Sequence, residues 1–205
     1  MKRTTTESTY NNHTIMTDNA RGLACDIKIL NEIERQFQYA DATKSKAYFM
    51  RYDVRLPEGF DHADNGLFRE FQSKFMKNRS RKGLKPQYVA VREQSQEKHQ
   101  HYHVALWLDG QKTQNIHDHI TTAERLWNKT LGLPDRANGY GLIDDCTKSR
   151  SGAKQINGVM LRRDDPEMET KKDDCFRRAS YLAKINTKGN TPKGQRELFS
   201  SRIPK

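Results

Sequence analysis

The stretch His99-Gln100-His101-Tyr102-His103-Val104-Ala105-Leu106-Trp107-Leu108 sets histidines at alternate positions ahead of a continuous apolar run. Successive side chains of a β-strand point to opposite faces. A strand here places His101 and His103 side by side and turns Tyr102, Val104, Leu106 and Leu108 the other way. Two imidazoles on a rigid floor suit a divalent metal, although two ligands do not make a site and polar residues ordinarily line a solvated sheet face. With seven histidines in 205 residues, composition alone supplies roughly 0.2 His-x-His pairs. The remaining ligands and chemistry must come from the rest of the chain.

Composition narrows the partner. Lys and Arg number 37 against 26 Asp and Glu, for a formal net charge of +11, and the pI is near 9.6. That excess points to a polyanion, most commonly nucleic acid, without separating DNA from RNA or an acidic membrane. Apolar residues make up only 34% and mean hydropathy is -1.03, so the core must be lean. No apolar run approaches the roughly 18 residues of a membrane span, and the first twenty residues lack a hydrophobic signal core. The expectation is a cytoplasmic protein with no membrane partner. Cys25, Cys146 and Cys175 are odd in number and widely spaced, which indicates neither a disulfide framework nor a structural zinc site.

Working outward, Gln87 to Glu93 reads as the strand before the histidine strand. An antiparallel hairpin closed by Gln96-Glu97-Lys98 sets Glu93 opposite His101 and Val91 opposite His103. Glu93 then adds an oxygen to two nitrogens, a set that suits Mn²⁺ or Mg²⁺ better than a closed zinc site. A loop one residue longer turns Glu93 away and leaves His99 as the alternative third ligand.

Lys46 to Leu56 reads as the first core strand, with Ala47 and Phe49 on one side and Tyr48, Met50, Tyr52 and Val54 on the other. Arg51, Asp53 and Arg55 share a face, where they either meet phosphates or form a solvated edge. A helix from about Asn65 to Arg79 carries Phe68, Phe71 and Phe75 inward. Its exit, Arg79-Ser80-Arg81-Lys82-Gly83-Leu84-Lys85, is the densest basic cluster and a candidate nucleic-acid contact through Arg79, Arg81, Lys82 and Lys85. A helix over about Thr113 to Leu131 carries His117 and His119, which read as surface residues because helical positions two apart do not face each other. Short strands are expected over Gly139 to Asp145 and Gly158 to Arg162. A last helix from Pro166 to Asn186 places Tyr181 and Lys184 on one face.

At the amino-terminal side, residues 1–16 read as mobile, followed by a helix capped at Thr17 or Asp18 and carrying Leu23, Ile27, Leu30, Ile33 and Phe37. Residues 187–205 read as a loose basic tail. The order strand, helix, strand, strand, helix, strand predicts an α+β protein with a ferredoxin-like (RRM-like) βαββαβ antiparallel sheet and helices on one face. The division expected is an N-terminal extension with one helix over 1–43, a core domain over 44–190 and a basic tail over 191–205.

Together, His101-Tyr102-His103 with Glu93 upstream, Tyr181-Leu182-Ala183-Lys184 on a helix and a basic βαββαβ domain resemble the HUH endonuclease superfamily. Arg51-Tyr52-Asp53-Val54-Arg55-Leu56-Pro57, His101 to Leu108 and Tyr181 to Lys188 resemble most the inovirus-type replication-initiation proteins, the YagK/YfjJ C-terminal-domain family, over residues 44–190. The departures are Tyr102 at a position usually aliphatic, one tyrosine in the nucleophile motif instead of two, and no helicase domain.

The resemblance implies a metal-dependent single-strand DNA endonuclease and strand transferase. In it, His101, His103 and Glu93 hold the metal at the scissile phosphate, and Tyr181 attacks to give a 5′-phosphotyrosine. Lys184 assists the tyrosine, while Arg51, Arg55 and the Arg79 to Lys85 cluster hold the strand. The implied biology is rolling-circle replication of a phage, plasmid or mobile element, acting on single-stranded DNA or an origin hairpin with host helicase and polymerase. A single-tyrosine transposase or a conjugative relaxase shares this chemistry, although relaxases normally place the nucleophile early in the chain. A different class is a non-catalytic DNA- or RNA-binding regulator, whose binding is indifferent to metal and to Tyr181→Phe.

Overall fold

The computed structural model describes residues 3–60, 64–94, 100–134, 140–149, 151–186, 188 and 191–204. It is a mixed α+β protein with four α-helices and an antiparallel sheet among the described residues. In chain order the elements are β1 (Thr4–Thr5), β2 (Thr9–Tyr10), β3 (His13–Thr14), β4 (Cys25–Asp26), α1 (Ile27–Thr43), β5 (Lys46–Arg55), α2 (Gly66–Arg81) and β6 (Gln87–Glu93). There follow β7 (His101–Asp109), α3 (Ile116–Thr130), β8 (Ile143–Asp144), β9 (Val159–Arg162), α4 (Met168–Ser180), a 3-10 turn over Tyr181–Ala183, and β10 (Leu198–Ser200). The main sheet runs β10-β6-β7-β5-β8, with β9 also on the outer edge of β5.

Helices cover both faces of this sheet instead of the one expected. Phe49, Val91 and Trp107 pack with Ile33 and Phe37 of α1 and Phe176 of α4. Met50, Val104 and Leu106 pack on the other side with Phe71 and Phe75 of α2 and Trp127 of α3. The cause lies in the central strands, which are apolar on both sides and must be buried on both. Tyr102 belongs to this second core. Its ring stacks on Phe68 at a centroid distance of 3.8 Å, and its hydroxyl donates to Asn65 Oδ1 at 2.8 Å. Packing therefore explains the tyrosine between the two histidines.

Several boundaries differ from those expected. Helix α1 begins at Ile27, where Asp26 Oδ1 accepts from the Lys28 amide at 2.8 Å. The anticipated start near Asp18 is instead a turn, closed by the Leu23 amide on the Asp18 carbonyl at 2.8 Å. Residues before it are folded as well, since Ile15 is buried in the α1 core. The carboxy-terminal segment is not a loose tail: β10 adds to the edge of β6, pairing Leu198 with Val91 and Ser200 with Val89. Helix α4 ends at Ser180, so Tyr181 opens a 3-10 turn and Lys184 caps its end, in place of the two sharing an α-helical face.

No helix among the described residues is long and apolar enough to cross a membrane. The three cysteines are free and buried.

Candidate functional site

The β6–β7 register pairs Glu93 with His101 and Val91 with His103, while β5–β7 pairing sets Asp53 beside His103. Two-residue periodicity then brings Arg51, Asp53, Glu93, His101 and His103 to one face. His103 Nε2 lies 2.8 Å from Glu93 Oε2, and His101 Nε2 lies 3.4 Å from Glu93 Oε1. The two imidazole rings meet edge to face at 4.8 Å. On its other side, His103 Nδ1 lies 2.7 Å from Asp53 Oδ1, an ion-pair approach too bent for a well-formed hydrogen bond. Asp53 in turn pairs with the buried Arg51 guanidinium at 3.2 Å.

These contacts shift the titration of the three groups. Burial opposes charge on Asp53, yet His103 and Arg51 outweigh it and hold its carboxyl well below the usual range. Burial likewise opposes ionisation of Glu93, but hydrogen bonds from His101 and His103 hold it low. For His103, burial disfavours the imidazolium, while Asp53 and Glu93 raise its pKa above the ordinary value.

The set fits a divalent ion. One donor atom from each of Glu93, His101 and His103 lies within 4.8 Å of the others, a spread that small side-chain adjustments would close to the roughly 2.1 Å bonds of a divalent ion. Asp53, 2.7 Å from the other ring nitrogen of His103, stands where the outer carboxylate of a ligating histidine would stand. The third-ligand alternative, His99, lies outside the described residues.

Tyr181 closes the site from above. Its ring meets His103 edge to face at 5.0 Å, Arg51 Cζ sits 4.7 Å from the ring centroid, and Lys184 Nζ also lies 4.7 Å from it. Burial, followed by the Glu93 charge, raises the phenol pKa above its ordinary value, against the opposing pull of Arg51. Both histidines, Glu93 and Tyr181 line one open cleft of about 1040 Å³.

The basic residues sort differently from the sequence expectation. Arg51 is 2% exposed and braces Tyr181 and Asp53 instead of meeting solvent. Arg55 lies at the rim, paired with Asp144 at 2.8 Å. Arg79 is only 1% exposed, and its guanidinium donates to His119 Nδ1 at 2.9 Å and Thr122 Oγ1 at 2.9 Å. His119, expected on the surface, is buried with it. Arg81 and Lys82 are exposed, and Lys85 pairs with Asp109 at 3.8 Å. This cluster adjoins the far end of β7, because Gln87 pairs with Trp107, roughly 20 Å of strand from His101 at 3.3 Å per residue. The cleft draws its other cations from Lys148, between β8 and β9, and from Arg178 of α4, neither of them among the strand-holding residues that the sequence suggested.

Asp53 is the cluster residue that the sequence reading did not single out for the site. Its position on the Arg51–Arg55 face was legible, but its partner becomes visible only through the β5–β7 register.

No curated protein and no solved structure matches this chain. The family model described as YagK/YfjJ C-terminal domain matches residues 5–199, beyond both ends of the 44–190 region that carried the sequence resemblance. The chain therefore belongs to the YagK/YfjJ C-terminal domain family.

Proposed function

We propose that this protein is a metal-dependent single-strand DNA nickase and ligase of the HUH type. In this reading it uses Tyr181 to start rolling-circle replication of a phage, plasmid or other mobile element in the cytoplasm. The observation that carries the reading is the edge-to-face contact of Tyr181 with His103, which puts a candidate nucleophile over a two-histidine, one-glutamate ligand set in one cleft. The antiparallel order β6-β7-β5-β8, with α2 and α3 as crossovers, supports it, being the order of a ferredoxin-like sheet.

Glu93, His101 and His103 would hold Mn²⁺ or Mg²⁺, which supplies Lewis-acid polarisation of a phosphate and neutralises charge in the transition state. Asp53 keeps the His103 ring oriented for that task. Tyr181 oxygen forms a bond to phosphorus as the bond to the 3′-oxygen breaks. The phenol proton leaves, and the departing 3′-oxygen takes one up. The 5′-phosphotyrosine retains the phosphodiester energy, so the released 3′-hydroxyl can prime a host polymerase or reverse the step without ATP. Arg51 opposes the rise in the phenol pKa, while Lys184 contacts the ring from the turn. Arg55, Lys148 and Arg178 line the path available to the phosphates.

The test is incubation with end-labelled single strands tiled across the encoding element, with Mn²⁺ or EDTA. The expected product is an SDS-stable adduct that requires metal and is absent in Tyr181→Phe. The burial of Tyr181 and its raised pKa favour one competing reading, a regulator in which this residue is structural. That reading gives tight salt-sensitive binding, no adduct, and indifference to both metal and Tyr181→Phe.

A further inference from the structure

A second groove, of about 1080 Å³, lies between the start of α1 and the segment leading through β10. Arg3, Lys28, Arg35, Lys193, Arg196 and Arg202 line it, and all six are exposed. Its acidic lining is Asp26, which is engaged in capping α1, and Glu197. Arg35 pairs with Glu32 at 2.7 Å. The other five cations have no ion pair among the described residues, in contrast with exposed cations elsewhere such as Arg162 on Asp164 and Lys74 on Glu70.

Both walls are held by the fold. The Ile27 amide donates to the Arg3 carbonyl at 3.0 Å. Asn65 Nδ2 donates to Gln195 Oε1 at 2.9 Å and to the Arg196 carbonyl at 3.1 Å.

The groove adjoins the cleft by two short routes. Cys25, next to the groove residue Asp26, bridges to Lys184 beside Tyr181. The Arg92 amide, next to Glu93, donates to the carbonyl of the groove residue Glu197 at 2.8 Å. The two sites differ in chemistry. The cleft carries the rings of Tyr181, His101 and His103, whereas no aromatic side chain lines the groove among the described residues. Unstacked bases need aromatic platforms, but a duplex, whose bases are already stacked, offers only its phosphates to such a wall.

We propose that this groove binds the sugar-phosphate backbone of base-paired DNA flanking the strand held in the cleft, a role that rests on the nickase reading for its position beside a cut site. The plainer account is that cations on an edge strand only discourage edge-to-edge association.

The measurement is the salt dependence of binding to a generic DNA hairpin with a single-stranded tail, compared with a single strand of equal length. It is made in EDTA on a Tyr181→Phe background, so neither metal nor covalent chemistry enters. Each lost phosphate contact lowers the slope of log affinity against log salt by about 0.9 on duplex. Lys193→Ala/Arg196→Ala/Arg202→Ala should therefore flatten the hairpin slope by about 2 to 3 while leaving the single-strand slope within about 1. Arg3→Ala/Lys28→Ala, on the opposite wall, should flatten the hairpin slope by up to about 2 if the groove acts as a unit. An unchanged hairpin slope in both variants overturns the proposal in favour of edge protection. An equal loss on the single strand overturns the duplex assignment. A missing adduct in the separate nicking assay would sink the nickase reading while leaving this slope comparison intact.

Discussion

Among the described residues the chain spells His-x-His twice, once in β7 and once in α3, and the two pairs meet opposite fates. On the strand, His101 and His103 turn to one side and share Glu93. On the helix, His117 is exposed while His119 is buried between α2 and α3. A guanidinium has only donors, so the Arg79 contact requires Nδ1 of His119 to be the lone-pair nitrogen, and Nε2–H then donates to Thr113 Oγ1 at 2.8 Å. His103 has a carboxylate on each ring nitrogen; His119 has an arginine on one and a hydroxyl on the other. Backbone periodicity and neighbours, more than the motif, decide whether an imidazole collects cations or repels them.

The sharpest break in this comparison is His103→Gln. It should lower Mn²⁺ affinity by more than about 100-fold, measured by calorimetry, and remove the covalent adduct, whereas His119→Gln should leave both in place. Next comes Asp53→Asn, which leaves the ligand set intact but loosens the ring that Asp53 orients. Metal affinity should fall about 10- to 100-fold, and an unchanged affinity would deny Asp53 its orienting role.

The third concerns His119. Burial first, then Arg79, lowers its pKa from 6.5 to about 4. The unfolded chain therefore binds the extra proton between those values, so the stability contribution is complete above about pH 6.5 and is lost as pH falls towards 4. Between about pH 7 and pH 4.5 the loss attributable to His119 should be about 2 kcal/mol. Urea denaturation should show a shallower acid decline in His119→Gln, and an identical decline would contradict the assignment. The smallest effect belongs to the exposed partner: His117→Ala should change stability by less than about 0.5 kcal/mol.

The parts of the fold legible in the sequence were those governed by short-range periodicity. Alternation over Lys46–Arg55 and His101–Asp109 gives both strands, and a short hairpin gives the Glu93–His101 register. Arg79 was legible in principle, since Phe68, Phe71, Phe75 and Arg79 recur at helical spacing along the buried stripe of α2; its place in a basic run disguised it. What could not be read locally depended on distant partners. Three residues, Leu198 to Ser200, carry too little pattern to announce an edge strand. Leu23 fits the helical period of α1 yet lies beyond the Asp26 cap. The end of α4 at Ser180 also alters how Tyr181 and Lys184 come together, because the 3-10 turn, and not one α-helical face, sets their contact.

The pairing of β10 with β6 also has a consequence for timing during synthesis. The strand that presents Glu93 emerges from the ribosome well before its outer neighbour, and until Leu198 to Ser200 dock, Val89 and Val91 belong to an open edge. Such distant pairing forms late in folding, and an uncovered apolar edge invites association between nascent chains. The ligand strand thus acquires its final support from residues translated after Tyr181, so the cleft reaches its finished form only when both of its halves have already been made.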